Sequence, residues 1–160
     1  MSLTIARVTA DSLDDFVTSV AGLFVEDAGA KDLGWDVDWP QREGHAYYRT
    51  AMADENALCL LATNENGPAG HLIGRMSAPH SLRPGERAAV LESMRVAEHA
   101  RRLGVGSALI AEFMKWANGK NATEAKVTAF AANANAVEFY QRNGFTPYEL
   151  TLRTRSGFGG

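Results

Sequence analysis

A short turn with two glycines, set between a strand and a helix, constrains the fold of this chain more than any other segment. The strand is predicted over Ala88–Val96, and the helix is the apolar-periodic segment Ser107–Ala117. The first N–H groups of a helix lack backbone partners, and with the positive end of the helix dipole they attract anions. Adjacent arginines add positive charge. The turn therefore predicts a ligand with phosphate groups, and it reads Arg101-Arg102-Leu103-Gly104-Val105-Gly106-Ser107.

The spacing of the glycines excludes two familiar phosphate-binding loops. A dinucleotide fingerprint requires a third glycine three residues after the second, where this chain has Leu109. A P-loop requires lysine and then serine or threonine after its last glycine, whereas Gly106 is followed by Ser107 and Ala108. The pattern that remains is Arg-x-x-Gly-x-Gly over residues 101–106.

A second pattern lies between Asn133 and Phe145. It reads Asn-x-x-Ala, then Phe-Tyr, then Gly-Phe. In this order the two patterns resemble the signature segments of the GCN5-related N-acetyltransferases, the GNAT superfamily. The resemblance covers nearly the whole chain, and its most specific part runs from Glu92 to Phe145. It implies an α/β (α+β) fold in a single domain, with a mixed central β-sheet flanked by about four helices and with splayed strands that form an acetyl-CoA cleft.

In that superfamily the glycine turn binds the pyrophosphate of acetyl-CoA, and the edge of the preceding strand binds the pantetheine arm through its backbone. The resemblance implies that Asn133 contacts the pantetheine arm, with a plain turn residue as the alternative, and Asn135 is expected to cap the next helix. A side chain larger than glycine at position 104 or 106 is expected to obstruct the phosphates. The residues assigned to the cofactor in this way are Met94, Arg95, Val96, Arg101, Arg102, Leu103, Gly104, Val105, Gly106, Ser107, Asn133 and Tyr140.

Two side chains are candidates for acid and base catalysis of acetyl transfer to an amine. The amine must lose a proton before it attacks, and the departing thiolate gains from receiving one. By the resemblance, Tyr140 is the acid that protonates the sulfur; the alternative is a tyrosine that only packs in the core. Glu92, in the strand beside the expected thioester, is the candidate base. The alternatives are an outward-facing strand residue and removal of the proton by water.

The acceptor side is less constrained by the sequence. In GNAT proteins the segment between the first two helices helps to form the acceptor pocket, and here it contains Trp35, Asp36 and Trp39. Carboxylates beside aromatic rings suit a cationic amine, while a solvated acidic loop anchored by two tryptophans is the alternative. We expect an enzyme that transfers the acetyl group of acetyl-CoA to a primary amine of a small polar or cationic acceptor, by direct attack in a ternary complex.

Three other functions stay open. The first is an acetyl-CoA-binding regulatory module of the same fold with little catalysis. The second is acetylation of a peptide or protein amine. The third is an unrelated α/β protein that binds ATP or NAD, which the absence of a third glycine and of the P-loop lysine disfavours.

Composition limits the partners and the compartment. A net charge of −3 argues against a protein that binds nucleic acid by neutralising phosphates. The single cysteine, Cys59, indicates a reducing compartment, and no apolar run approaches the ~18 residues that span a membrane. Since Met1–Thr4 begins no signal-peptide pattern, we expect a cytoplasmic protein. No metal is expected, because metal-ligand spacing is lacking among the histidines His45, His71, His80 and His99.

Periodicity predicts the order of the elements. One domain is expected over residues 1–155, with a loose tail at 156–160. The sheet edge after Phe145 stays open to pairing with a second subunit, that is, to a homodimer. Asp11 is expected to cap the first helix, which Gly29 ends, and Gly144 is expected to end the last one. The predicted strands are 3–8, 57–63, 70–76, 88–96, 126–130 and 148–153, and the further helices are 40–52, 107–117 and 135–143.

Overall fold

The computed structural model describes residues 2–158. In it the alternating or continuous apolar segments of the sequence form strands, and the amphipathic segments form helices. The mixed α/β fold that the sequence predicts is confirmed. None of the helices in this range is long and apolar enough to cross a membrane. The strands are β1 (Leu3–Arg7), β2 (Ala57–Asn64), β3 (Gly67–Met76), β4 (Ala88–Val96) and β5 (Glu124–Val127). The main helices are α1 (Leu13–Leu23), α2 (Trp39–Ala53), α3 (Val105–Gly119) and α4 (Ala134–Arg142).

The strands form one sheet in the order β1-β2-β3-β4-β5, and only β5 runs parallel to its neighbour. β2 and β3 are central and mostly buried on both faces, which explains their long apolar runs. Helices α1 and α2 cover one face, where Phe16, Val20 and Ile73 are buried. Helix α3 covers the other face, where Leu72 and Phe113 are fully buried.

β4 and β5 separate halfway along β4. Their parallel pairing ends where Leu91 faces Val127. At the next residue, Glu92, a β-bulge interrupts the pairing of β4 with β3. Within the part of the chain that the structure describes, β4 therefore has a strand partner on one side only from Glu92 to Val96. The predicted splay of two strands is confirmed, and the cleft begins at Glu92.

Helix α1 continues into an unusual turn. Residues Phe24–Ala28 are wound as a π-helix, in which the N–H of Gly29 donates to the carbonyl of Phe24. A single α-helical turn, Gly29–Lys31, follows, so the helical path runs past the glycine that was expected to end it. A Cβ atom on Gly29 would lie 2.5 Å from Cγ1 of Val37, and glycine therefore permits the following loop to pack closely. Isolated π turns recur at functional sites.

Two predicted strands differ from the structure. β5 covers Glu124–Val127 rather than residues 126–130, because only these four residues pair with β4. The strand predicted over residues 148–153 does not form, and its apolar side chains are exposed, with Leu150 at 74% and Leu152 at 83%. Alternation favours a strand only where another strand pairs with it. This segment instead rests on side-chain contacts, such as the Lys126 ammonium over the ring of Tyr148.

The ends of two helices test predictions about capping. Ser12 rather than Asp11 precedes α1, and its hydroxyl accepts the N–H of Thr9 (2.9 Å), so the predicted cap is wrong. Gly144 ends α4 with a left-handed backbone (φ +95°), as predicted. The N–H of the next residue, Phe145, then donates to the carbonyl of Tyr140 (3.0 Å). This closes α4 and turns Phe145 back toward the ring of Tyr140.

A hydrogen-bonded histidine lies in the core beneath α1. His71 on β3 is fully buried, with Nδ1 2.6 Å from the Ser19 hydroxyl and Nε2 2.8 Å from the Ser93 hydroxyl. Burial, and secondly the charge of Arg95, lowers the pKa of His71 to about 3. The ring is therefore neutral, and each of its nitrogen atoms has a partner. The three side chains join α1 to β4 beside the bulge.

Candidate active site

The backbone of β4 offers an open edge beside the glycine turn. Ala97, just after β4, donates its N–H to the carbonyl of Ala69 on β3 (2.8 Å). Peptide groups alternate in direction along a strand. Those of Val96 and Met94 therefore face away from β3, toward the gap that opens beyond β5. Backbone donors and acceptors of the kind that bind an extended ligand as an added strand thus line the gap, and of these the Val96 carbonyl accepts a hydrogen bond from Arg101.

The glycine turn begins α3, two residues earlier than periodicity predicts. The helix starts at Val105, and its first hydrogen bond runs from the N–H of Ala108 to the carbonyl of Gly104 (3.0 Å). Gly104 (φ +82°) and Arg102 (φ +64°) both have left-handed backbones, which glycine adopts readily and arginine only under strain. In turns of this conformation successive N–H groups point into one concavity, which here lies at the positive end of the helix dipole. The turn therefore suits a phosphate group.

Glycine is required at position 106 for a reason that the sequence did not indicate. A Cβ atom there would lie 2.9 Å from Cζ of Phe139 on α4 and 3.5 Å from Cγ2 of Val96. In contrast, a Cβ atom on Gly104 would have no atom of the described residues within 4 Å. Close helix packing therefore selects glycine at 106, and the left-handed backbone selects it at 104. That a side chain at position 104 or 106 would obstruct a bound phosphate stays a prediction.

Glu26, on the π turn, binds two arginines on the β4 side of the cleft. Its carboxylate accepts hydrogen bonds from Arg95 (2.6 and 3.1 Å) and from Arg101 (3.1 Å). The hydrogen bond from Arg95, helped by the charges of both arginines, lowers the pKa of Glu26. Arg101 also donates to the carbonyl of Val96 (3.1 Å). This arginine is thus held at the end of β4, whereas Arg102 is exposed at the turn.

Asp27, the next residue, binds the α4 side of the cleft. Its Oδ1 accepts a hydrogen bond from Nδ2 of Asn133 (3.0 Å) and lies 3.0 Å from the ammonium of Lys31. The side-chain oxygen of Asn133 accepts the N–H of Ala136 (3.1 Å), so Asn133 caps α4. The cap predicted at Asn135 is therefore wrong. The two neighbouring acids of the π turn reach both sides of the cleft.

Tyr140 lies on α4, partly buried against the core. Its ring packs edge-to-face against Phe139 (5.5 Å between centroids) and Phe145 (5.8 Å). Burial, and secondly the charge of Asp27, raises the pKa of Tyr140 to about 12. The phenol is therefore protonated at neutral pH and can act as a proton donor. Its position is compatible both with an acid and with a residue that only packs.

Glu92 is paired with Arg75 on the neighbouring strand, with 3.0 Å between Nε and Oε1. Arg75 also approaches Asp54 (3.5 Å) and donates to the hydroxyl of Tyr47 on α2 (3.4 Å). A bulge turns its two residues toward the same face of the sheet, and Ser93 contacts the buried His71. Glu92 therefore lies at the rim of the face that α1 and α2 cover, and its side chain is about one-third exposed (36%).

Aromatic rings connect the expected acceptor segment to both sides of the cleft. Trp35 packs against Phe24 of the π turn (5.9 Å) and Phe130 after β5 (6.4 Å). Trp39 stacks on Phe24 (6.1 Å) and contacts Tyr47 (5.3 Å). Phe24 thus joins the two tryptophans that the sequence singles out. Trp35 is 45% exposed, so part of this aromatic wall is accessible.

Asp36 does not join this aromatic wall. Its carboxylate binds Arg42 (2.6 Å) and accepts the N–H of Asp38 (3.1 Å). The hydrogen bond from Arg42 lowers the pKa of Asp36. The charge of Asp36 is therefore balanced at the start of α2, where it orders the backbone that leads into the helix.

Sequence reasoning missed Glu26, Asp27 and Lys31, which the π turn brings to the cleft. It also missed Phe24 and Phe130, which join the tryptophans across it. Charged residues near the end of an amphipathic helix are usually solvated, and the register of a π turn leaves no mark on a periodicity of three and four residues. The one available signal was a pair of adjacent acids directly after the apolar stripe of the first helix.

Other reactive groups lie outside this region. Burial raises the pKa of the Cys59 thiol to about 11, so it is a poor nucleophile. Across residues 2–158, no three side chains of His, Cys, Asp or Glu lie close enough together to hold a metal ion.

A strand edge that opens beside the positive end of a helix dipole defines an α/β protein with a cleft between diverging strands. The model of the acetyltransferase (GNAT) family matches residues 23–145, and the chain belongs to this family. The match includes the π turn and both signature segments. No curated protein matches the chain at the level of sequence.

Solved structures with the same fold include acetyltransferases and a protein described as a regulator. Aminoglycoside antibiotic 6'-N-acetyltransferase AAC(6')-IG from Acinetobacter haemolyticus is 21% identical (TM-score 0.76; 96% of this chain and 97% of that chain covered). AAC(6')-Iy, in complex with the bisubstrate analog CoA-S-monomethyl-acetylneamine, is 16% identical (TM-score 0.73; 98% and 99% covered). A transcriptional regulator from Bacillus halodurans C-125 is 22% identical (TM-score 0.74; 96% and 99% covered). At these identities the likeness establishes the fold alone.

Proposed function

We propose that this protein is an N-acetyltransferase that moves the acetyl group of acetyl-CoA to a primary amine of a small polar or cationic acceptor. The amine attacks directly in a ternary complex. One observation carries the proposal: the open edge of β4, with the peptide groups of Met94 and Val96 facing the cleft, ends beside the anion-binding start of α3. Membership of the GNAT family supports acetyl-CoA as the ligand of this cleft.

The residues present fit acetyl-CoA. The N–H groups of the turn from Arg102 to Ser107 would hold the pyrophosphate, because they meet the positive helix end. The peptide groups of Met94 and Val96 would bind the amide groups of the pantetheine arm. Arg101 and Asn133 have side-chain donors beside this path, although each is now bound to an acid of the π turn. These two side chains must therefore exchange partners or share them when the cofactor binds.

Acetyl-CoA supplies the acetyl group as an activated thioester. In the proposed mechanism Glu92 accepts the proton that the acceptor amine must lose, either directly or through water. The N–H of Val96 stabilises negative charge on the acetyl oxygen. The Tyr140 phenol gives its proton to the departing sulfur, and its protonated state at neutral pH supports this role. Each role stays a prediction that a single substitution tests.

A cationic acceptor is favoured by the charges around the cleft. Glu92 and Asp27 are carboxylates beside the cleft, each bound to a cation that an ammonium group could replace, and the accessible ring of Trp35 offers a surface for such a group. The neighbour AAC(6')-Iy was solved with an analog that joins CoA to acetylneamine. We therefore include neamine among the first acceptors to be tried.

The first experiment is a thermal-shift titration with acetyl-CoA, with ATP and NAD as controls. A selective rise in melting temperature with acetyl-CoA supports the proposal, since a ligand that binds only the folded state stabilises it. Thiol release would then be measured with neamine, a polyamine, an amino acid and a peptide as acceptors. No shift with acetyl-CoA, or a larger shift with ATP or NAD, would contradict the proposal.

The second candidate is an acetyl-CoA-binding regulatory module with little catalysis. The observation that favours it is the similar fold of a transcriptional regulator from Bacillus halodurans C-125. The net charge of −3 does not favour direct contact with nucleic acid. This alternative would be supported if acetyl-CoA binds but no class of acceptor amine causes release of the coenzyme A thiol.

A further inference from the structure

We propose that Lys31 is an intramolecular acetyl acceptor, which Asp27 holds beside the cofactor cleft. This inference rests on the proposed function, because it requires acetyl-CoA in the cleft. It assigns a modification site to this protein, and it also assigns to Asp27 the binding of an acceptor ammonium group.

The first observation is a short path of contacts from Lys31 to the cleft. The ammonium of Lys31 lies 3.0 Å from Oδ1 of Asp27, and the same oxygen accepts the hydrogen bond from Asn133 (3.0 Å). The amine is thus two hydrogen-bond lengths from the cap of α4, the helix that carries Tyr140. The charge of Asp27 also contributes to the raised pKa of Tyr140, so the carboxylate lies within electrostatic reach of the phenol.

The second observation is the local backbone. The π turn places Glu26 and Asp27 on opposite sides of the cleft, and the single turn Gly29–Lys31 then returns Lys31 to Asp27. Lys31 and Asp27 are both about three-quarters shielded from solvent, with side-chain exposures of 24% and 26%. Solvated pairs four residues apart on a helix are usually more open than this and contribute little to stability.

The third observation distinguishes the two acids. Glu26 is fully engaged by the guanidinium groups of Arg95 and Arg101, neither of which can be acetylated under the proposed chemistry. Asp27 instead holds a primary amine, the group that the proposed reaction consumes. The side chain of Lys31 is therefore a built-in example of the acceptor class, already bound beside the cofactor cleft.

The proposed step balances as follows. The ammonium of Lys31 gives one proton to Asp27, and its nitrogen then forms a bond to the acetyl carbon while the carbon–sulfur bond of the thioester breaks. The thiolate takes the proton of Tyr140, and the nitrogen loses its second proton, which restores the phenol through water. The products are acetyl-Lys31, coenzyme A and one proton, which Asp27 returns to solvent.

The test uses the full chain, acetyl-CoA and peptide mass spectrometry, and it needs no external acceptor. The chain has only four lysines, so Lys115, Lys120 and Lys126 serve as internal references for uncatalysed acetylation. We expect Lys31 to gain an acetyl group at least about tenfold faster than the other three, because its amine is held in place. The rate per molecule should not change when the protein is diluted, since the step is intramolecular.

Two variants and one binding measurement complete the test. Asp27→Asn and Tyr140→Phe should each bring the rate at Lys31 close to that of the reference lysines, while Glu65→Gln, on an exposed turn, should leave it unchanged. Equal acetylation of all four lysines, or a rate at Lys31 that neither variant changes, would overturn the inference. A thermal shift with acetyl-CoA but no acetyl-Lys31 would overturn this inference alone. The absence of any shift would overturn the proposed function with it.

Discussion

Phe139 on α4 packs directly over Gly106 on α3, so that a Cβ atom on the glycine would lie 2.9 Å from Cζ of the ring. This contact joins α3, which the glycine turn begins, to α4, which carries Tyr140. The two signature segments of the chain therefore meet in one packing contact. Glycine at position 106 is therefore required by this helix contact, apart from any role in binding a ligand.

We predict that Gly106→Ala destabilises the protein by about 1–3 kcal/mol, because the added methyl group must displace the Phe139 ring. Urea unfolding measures this loss. The double variant Gly106→Ala/Phe139→Leu should lose less than the sum of the two single variants, since the smaller side chain makes room for the methyl group. Additive losses would show that the contact with Phe139 is not the cause.

Gly104→Ala should act through the backbone instead. Its φ of +82° is costly for alanine by about 1–2 kcal/mol, and the free space around it means that no change at Phe139 can restore stability. If the methyl group also disturbs the phosphate position, the acetyl-CoA titration will show a weaker shift. Rescue of Gly104→Ala by Phe139→Leu would contradict this account.

Tyr140→Phe is predicted to lower kcat by about 10²-fold, because the sulfur would leave without its proton donor. The affinity for acetyl-CoA and the melting temperature should change little, since the phenylalanine ring keeps the contacts with Phe139 and Phe145. Tyr148→Phe, at a tyrosine that is 68% exposed, is the matched control. Unchanged turnover in Tyr140→Phe would remove Tyr140 as the acid.

Glu92→Gln should lower the rate most at neutral pH, and the rate should partly recover as the pH rises. The reason is that an acceptor amine loses its own proton at high pH and then needs no base. Glu124→Gln is the control, because Glu124 forms a similar ion pair with Arg83 far from the cleft. A loss that is the same at every pH would indicate that Glu92 acts only by pairing with Arg75.

His71 makes the stability of the protein depend on pH. Its pKa is near 3 when folded and near 6.5 when unfolded, so between these values the unfolded chain binds a proton that the folded protein does not. Stability is therefore fully present above about pH 6.5 and falls as the pH decreases, by about 2 kcal/mol at pH 5. Urea unfolding of wild type and His71→Gln, at about pH 6.5 and at about pH 5, measures this loss. The free energy of unfolding should fall between the two pH values by about 2 kcal/mol less in the variant than in the wild type.

The sequence predicted the central part of the fold better than its margins. β4 was predicted with its observed bounds, Ala88–Val96. The strand expected over residues 148–153 failed, since pairing depends on a distant partner that alternation does not reveal. The π turn was missed because it shifts the register of a helix without changing its composition, and the contacts of Glu26 and Asp27 follow from that shift.

The pairing of β4 with β5 ends at Leu91, so the backbone N–H groups that follow it on β4 differ in whether they are hydrogen-bonded to another strand. Those of Ser93 and Arg95 point toward β3, as does that of Ala97, and they exchange with deuterium only when the sheet opens. Those of Met94 and Val96 face the cleft, where no strand of the described residues pairs with them. A ligand that pairs with this edge will slow hydrogen–deuterium exchange at Met94 and Val96. The amides that are slowed will show how far along the strand the ligand extends.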